Sequence, residues 1–202
     1  RYTIQAQQQS GKQFKIIEIY KLLPHKILKN LTLGFDPNLF TNNQLKIYFK
    51  NSLKLKSINR NLIDDISPKK DPKTKSFFSI NDKIVGKNYK LKLNNIIKIL
   101  KKHKTDYLFV SAPENVAWIL NIRGSDNPYS PIPNCRLIIG KNNQIFLITQ
   151  KDKVLKIIKD KKLNKKQIII PEKFQDLIKS LKGKKFIIDK QSCSILNEKI
   201  IR

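Results

Sequence analysis

Methionine is missing from all 202 residues, alanine occurs three times, arginine five times and tryptophan once. Each scarcity narrows the field. The two histidines, His25 and His103, stand beside lysines with no carboxylate at a metal-ligand spacing, so both read as solvated surface residues. The two cysteines, Cys135 and Cys193, form neither a CxxC pair nor a zinc-ribbon spacing, and are expected as reduced thiols in an intracellular compartment. No stretch of about 18 uninterrupted apolar residues exists, which argues against a membrane-spanning helix. The opening RYTIQAQQQ lacks an initiator Met and the apolar core of a signal peptide, so the sequence is expected to be cut from something longer.

Negative charge is also scarce: 15 acidic residues face 42 basic ones, a net charge of +27 with pI near 10.1. Such a balance invites a nucleic-acid reading, because dense cations gain from counterion release. The detail argues against it. Lys supplies 37 of the basic residues, whereas phosphate and base-edge readers lean on the Arg fork, and the lysines are scattered rather than drawn into one stripe. Ile (32) and Asn (19) are inflated in parallel while Ala falls, the pattern AT-rich codons produce. Salt-sensitive, nonspecific adhesion to polyanions remains the expected consequence. A hydrophobic fraction of 40% supplies ample material for a core.

Along the chain, the dense apolar run at 14–23 predicts a buried helix ended near Pro24. Leu31–Phe35 reads as a strand leading into an Asp36-Pro37 turn. Thr41 then caps a helix running to about Lys54, with Leu45, Tyr48, Phe49 and Leu53 on one face. Leu55–Asn59 follows as a strand before the Asn61–Ile66 segment, and the polar SPKKDPKTK at 67–75 reads as an interdomain linker. Next come an amphipathic helix within 87–104 (Leu93, Ile96, Ile97 and Leu100 inward), a strand at 107–110 and a short helix at 115–121. Strands at 136–139 and 144–149 flank a GKNN hairpin turn. Helices at 154–160 and 172–181 alternate with strands at 167–170 and 184–189. The class is α/β, a sandwich with a mixed sheet flanked by helices.

One segment departs from the Lys/Ile/Asn alphabet: SAPENVAWILNIRGSDNPYSPIP at 111–133 holds the sole Trp, Arg123, Gly124 and four prolines. Proline fixes φ and glycine permits unusual ones, so RGSDNPYSPIP is expected as a shaped loop, with Arg123 and Asp126 a charged pair within it. Two readings of each residue stand. Trp118 is core, or faces a ligand. Arg123 and Asp126 hold the loop together, or serve a substrate. Glu114 reads as a helix N-terminal charge, Asp36 as a turn or helix cap, and Asp64-Asp65 as solvated surface.

These residues resemble the N-terminal region of the three-domain Xaa-Pro aminopeptidases of the creatinase/prolidase superfamily. The anchor is the ENVAWILNIRGSD stretch with its following prolines. LGFDPNLFT at 33–41, RYTIQA at the start and NLID at 61–64 are similar to further family segments in the same order. The resemblance implies two creatinase-N-like α/β domains: residues 1–66 as the C-terminal part of the first, which is truncated, 67–82 as linker, and 83–202 as the second. It implies a catalytic domain beyond Arg202, where two Asp, one His and two Glu hold a dinuclear metal centre, usually manganese. This polypeptide alone is then expected to be inactive and to bind no metal. The family reaction removes an N-terminal residue preceding proline. Trp118, Arg123 and Asp126 become substrate-proximal candidates that shape access: the indole against a proline ring, the guanidinium on a peptide carbonyl or carboxylate. Implied partners are peptides with penultimate proline, the chain's own catalytic domain and a second copy in a homodimer. Neither a membrane nor a specific nucleic acid is implied, and the location is cytoplasmic. A standalone interaction module of the same fold and a basic polyanion-binding protein are the alternatives.

Overall fold

The computed structural model describes residues 2–49, 53–58, 61–67 and 75–202. A small βαβ unit comes first. Strand β1 (Thr32–Phe35) runs parallel to β2 (Lys54–Ser57), with Leu33 opposite Leu55, and α3 (Asn42–Phe49) crosses between them. Thr41 closes the helix start with a capping box. Its Oγ1 accepts the Gln44 N–H at 3.1 Å, and Gln44 Oε1 accepts the Thr41 N–H at 2.9 Å. Leu45, Phe49 and Leu53 form the unit's core, against Leu33, Phe35, Phe40 and Leu55. The helix stops short of the expected Lys54, which already belongs to β2. The Asp36-Pro37 turn is present: Asp36 Oδ1 accepts the Asn38 N–H at 2.8 Å.

The buried helix expected over 14–23 does not form. Phe14, Ile17, Ile19 and Tyr20 are exposed, and the neighbouring helices are α1 (Tyr2–Gln9) and α2 (Pro24–Ile27). Pro24 opens α2 rather than ending a helix, since a proline at the first helical position forfeits no hydrogen bond. An apolar run with no polar face lacks a preferred side to bury. Beyond β2, α4 (Leu62–Ile66) is capped by Asn61, whose Oδ1 accepts the Ile63 N–H. Most of the stretch read as linker, 68–74, lies outside the described residues. Its far end is integrated: Phe77 is fully buried, and β3 (Phe78–Ser79) pairs antiparallel with β5 (Ile122–Arg123).

The larger unit is a five-stranded mixed sheet built from β4 (Tyr107–Val110), β6 (Arg136–Gly140), β7 (Ile145–Ile148), β8 (Ile168–Ile169) and β9 (Phe186–Ile188). The order is β8-β7-β6-β4-β9; the outer pairs are parallel and the inner ones antiparallel. Strand alternation divides the core in two. Val110, Leu137, Ile139 and Leu147 face α5 (Tyr89–Lys102), α6 (Pro113–Leu120) and α7 (Leu155–Lys159). Tyr107, Phe109, Ile138 and Ile148 face α8 (Phe174–Ser180) and α9 (Ile195–Ile201). Helix α9 was not read from the sequence. Ser194 caps it, and it ties the units together: the Ile195 and Leu196 N–H groups donate to the Phe40 and Pro37 carbonyls at 2.9 and 3.0 Å. No helix among the described residues is long and apolar enough to cross a membrane.

Candidate functional site: the Trp118 corner and its loop

Helix α6 starts with Pro113 at its first turn and carries Glu114 there, a charge suited to the helix's positive end. Its other end is set by Asn121, which adopts the left-handed conformation (φ 51, ψ 48), a geometry asparagine tolerates better than most residues. The chain then turns into β5 and the loop.

Gly124 is required at the loop's base. A Cβ there would lie 2.7 Å from Pro133 Cα and 3.1 Å from the Phe77 ring, and the Gly124 N–H donates to the Pro131 carbonyl at 3.1 Å. The loop is therefore pinched shut at its neck, and an Asn127–Ser130 bridge closes its tip. Pro133 is buried, while Ser125, Asn127, Pro128 and Pro131 are exposed and Tyr129 is 97% exposed. The loop lies on the surface, free to meet a neighbour.

Arg123 and Asp126 do not pair. Asp126 Oδ1 meets Lys153 Nζ at 2.5 Å and its Oδ2 accepts the Asn134 N–H at 2.6 Å, bolting the loop to the single 3₁₀ turn at 151–154 that precedes α7. Arg123 folds back instead: its guanidinium donates to the carbonyls of Ile122 (2.9 Å) and Ala117 (3.4 Å), leaving it half-buried beneath α6. A side chain three residues away in an irregular loop need not face its neighbour, and the Lys153 ammonium competed successfully. Of the two readings of Trp118, the core one fails: the indole is 59% exposed.

Trp118 borders a shallow groove of about 250 Å³ with Ile96, Leu108, Val110 and Ile119 as its apolar wall. At its polar end, Ser111 and Ser192 share a hydrogen bond of 2.8 Å, and Ser192 donates to Asp189 Oδ2 at 2.8 Å. The groove opens beyond the carboxyl ends of the parallel strands β4 and β9, where open α/β sheets commonly bind ligands.

Residues the sequence reading passed over complete the corner. Lys92, on the core-facing side of α5, is only 4% exposed, and its Nζ donates to the Trp118 carbonyl and to Asn121 Oδ1, both at 2.6 Å. The same ammonium lies 4.1 Å from the Trp118 ring centre. Burial, then the nearby Arg123 and Lys87 charges, push Lys92 below the ordinary lysine value. Lys162 reaches the Asn121 carbonyl at 3.0 Å, and burial lowers it too. The available signal was the helical register: position 92 falls four residues before Ile96 on the buried side.

Among the described residues, no group of three or more His, Cys, Asp or Glu could hold a metal ion, so these residues do not fit a dinuclear centre. Cys135 and Cys193 are buried free thiols, both raised by burial, the latter to about 11.

A profile of the Creatinase/Prolidase N-terminal domain matches residues 68–201. Xaa-Pro aminopeptidase 1 of Dictyostelium discoideum is 28% identical over 188 residues, covering 82% of this chain and 28% of its own length. Aminopeptidase P1 of Lotus japonicus is 27% identical over 165 residues, covering 76% and 25%. The X-prolyl aminopeptidase of Caenorhabditis elegans, described as a cytosolic enzyme with a di-nuclear active site, superposes with a TM-score of 0.69 at 24% identity, over 90% of this chain and 32% of that one. This last likeness shows a shared fold. The chain thus spans between a quarter and a third of the length of these relatives.

Proposed function

Because the chain belongs to the creatinase/prolidase N-terminal domain family, we propose that it forms the noncatalytic N-terminal region of a metal-dependent Xaa-Pro aminopeptidase. Residues 1–66 are the C-terminal part of its first creatinase-N-like domain and 83–202 its second, with 67–82 as linker, and the catalytic domain, with a manganese pair, is encoded beyond Arg202. The assembled enzyme works in the cytoplasm as a homodimer and removes an N-terminal residue preceding proline. This region walls the entrance to the cleft and helps admit only narrow, unstructured peptide ends.

The observation that carries this reading is the presentation of Trp118. A large aromatic ring, 59% exposed, stands on a short helix whose following loop is pinched at Gly124 and bolted at Asp126. Exposing an indole forgoes roughly 2 kcal/mol or more of burial, so a rigid mount for it suits a contact surface. A flat aromatic face packs well against a proline ring, which has no N–H to satisfy. Arg123 spends one of its nitrogens on the Ala117 and Ile122 carbonyls and keeps other donors for a peptide carbonyl or carboxylate. Asp126 fastens the loop that follows both.

The test uses the full-length parent enzyme loaded with manganese and an Xaa-Pro peptide. Trp118→Ala should raise KM by about three- to tenfold, the size of one aromatic contact. Arg123→Ala should lower kcat/KM by roughly tenfold or more. Unchanged kinetics in both variants would remove the wall. Hydrolysis by the 202-residue chain itself, above a manganese blank, would overturn the noncatalytic assignment.

A further inference from the structure

We infer that Lys92 is a positioning residue for Trp118: its buried ammonium clamps the backbone and ring of the tryptophan at once and holds the indole's free face outward. The clamp's functional meaning rests on the wall reading above; its geometry does not.

A lysine that is 4% exposed, with no carboxylate against it, is uncommon, because a desolvated charge ordinarily demands a counter-ion. Here three weaker partners share the task. The ammonium's three N–H groups have the Trp118 carbonyl, Asn121 Oδ1 and, 4.1 Å from the ring centre, the indole face. Backbone and side chain of one residue are thereby gripped from a single atom, so the Trp118 rotamer is coupled to the last turn of α6. Asn121 relays the grip. Its Nδ2 donates to the Lys87 carbonyl at 3.0 Å, and its own carbonyl accepts the Ile80 N–H and Lys162 Nζ, both at 3.0 Å. The left-handed turn that starts β5, and hence the placement of Arg123, is held by the same network. The ammonium lies over one face of the indole, and Trp118 also borders the groove.

Losing the ammonium should release the ring. The charged groups around it are Arg123 from β5, Lys87 from the turn before α5, and Lys162, which follows α7 and itself lies near Asp82 and Asp160. Burial, and then these cations, disfavour the positive charge, so Lys92 should titrate before an ordinary lysine does.

Trp118 is the sole tryptophan of this chain, so intrinsic fluorescence excited above the tyrosine band reports it directly. In the 202-residue chain, Lys92→Met should raise the acrylamide Stern–Volmer constant, since the ring face that the ammonium covers loses that contact while the other is already exposed. It should also abolish an alkaline emission transition centred below 10.5 in the unsubstituted protein. Lys92→Arg, which keeps the charge, should restore part of the protection. Emission, quenching and titration that superimpose for the unsubstituted and Lys92→Met proteins would overturn the inference. Should Lys92→Met not fold, NMR of the unsubstituted protein decides. Ring current places the Lys92 Hε resonances upfield of the other lysines if the clamp exists, and leaves them among the others if it does not. A normal KM for an Xaa-Pro peptide in the full-length Lys92→Met enzyme, together with altered fluorescence, would sink the wall reading and keep the clamp.

Discussion

Asp126 finds its partner 27 residues away: its carboxylate meets the Lys153 ammonium at 2.5 Å, with both side chains only 14% exposed. The bond spans from the proline-bounded loop to the turn before α7, whose Lys153 carbonyl also receives the Phe77 N–H. Loop, β3 edge and helix start therefore share one fastening point.

Breaking that pair should cost more than a surface ion pair does. Asp126→Asn should lose about 1–3 kcal/mol of unfolding free energy, because an imperfectly partnered ammonium is left half-buried. Lys153→Met should cost a comparable amount, since it leaves the Asp126 carboxylate half-buried without its cation and with the Asn134 N–H on its other oxygen. A double-mutant cycle by urea denaturation should give a coupling energy of about 1 kcal/mol or more, and additive effects would show that the bond contributes nothing.

Gly124→Ala tests the pinch at the loop's neck. The added methyl would sit 2.7 Å from the Pro133 backbone, which cannot swing aside as a flexible side chain would. The expected loss is about 1–3 kcal/mol, as for other overpacked sites, with faster hydrogen exchange at the 124 amide. A melting temperature equal to that of the unsubstituted protein would contradict the close approach.

Glu198 makes the junction between the units pH-dependent. The Asn42 amide, donating at 2.7 Å, and the Arg202 charge hold its carboxyl below the ordinary 4.5, against the opposing effect of burial. A depressed folded-state value means stabilisation that is fully present above the unfolded value and is lost as pH falls through the folded one. Unfolding free energy should therefore drop from pH 5 towards pH 3, and Glu198→Gln should flatten that part of the profile while lowering stability at pH 7. Parallel profiles would show that Glu198 is not the group responsible.

The thiols should be silent until the protein opens. Cys193, pushed up to about 11 by burial, and Cys135, raised further, have almost no thiolate at pH 8. A chromogenic disulfide reagent should label neither in the folded chain and both in urea. Rapid labelling of one without denaturant would reveal an opening of that face of the sheet.

What the sequence made legible follows from the range of the interactions involved. The central strands announced themselves because Leu137–Ile139 and Phe146–Ile148 are apolar runs bounded by a Gly-Lys-Asn-Asn turn, all local features. Thr41 marked a helix start for the same reason. The run at 14–23 misled because an isoleucine-rich composition fills surface positions as well, so apolar density stopped reporting burial. Helix α9 was missed: its Ser194 cap was visible, but its anchor on Phe40 is a contact across the whole chain. The Trp118 corner was half legible. The departure from the Lys/Ile/Asn alphabet drew attention to it, whereas Lys92 passed as one lysine among many and Arg123 was matched with its sequence neighbour instead of its own backbone.

The seam formed by Ile195 and Leu196 on the carbonyls of Phe40 and Pro37 has a practical corollary. The small βαβ unit draws part of its foundation from residues near the far end of the chain, and Ile195 sits directly against its Leu45–Phe49 nucleus. During translation that unit must wait, incompletely walled, until nearly all of the described chain has emerged. Dissecting the protein at the polar stretch between the units would strand the first piece without its floor, so the two should melt as one.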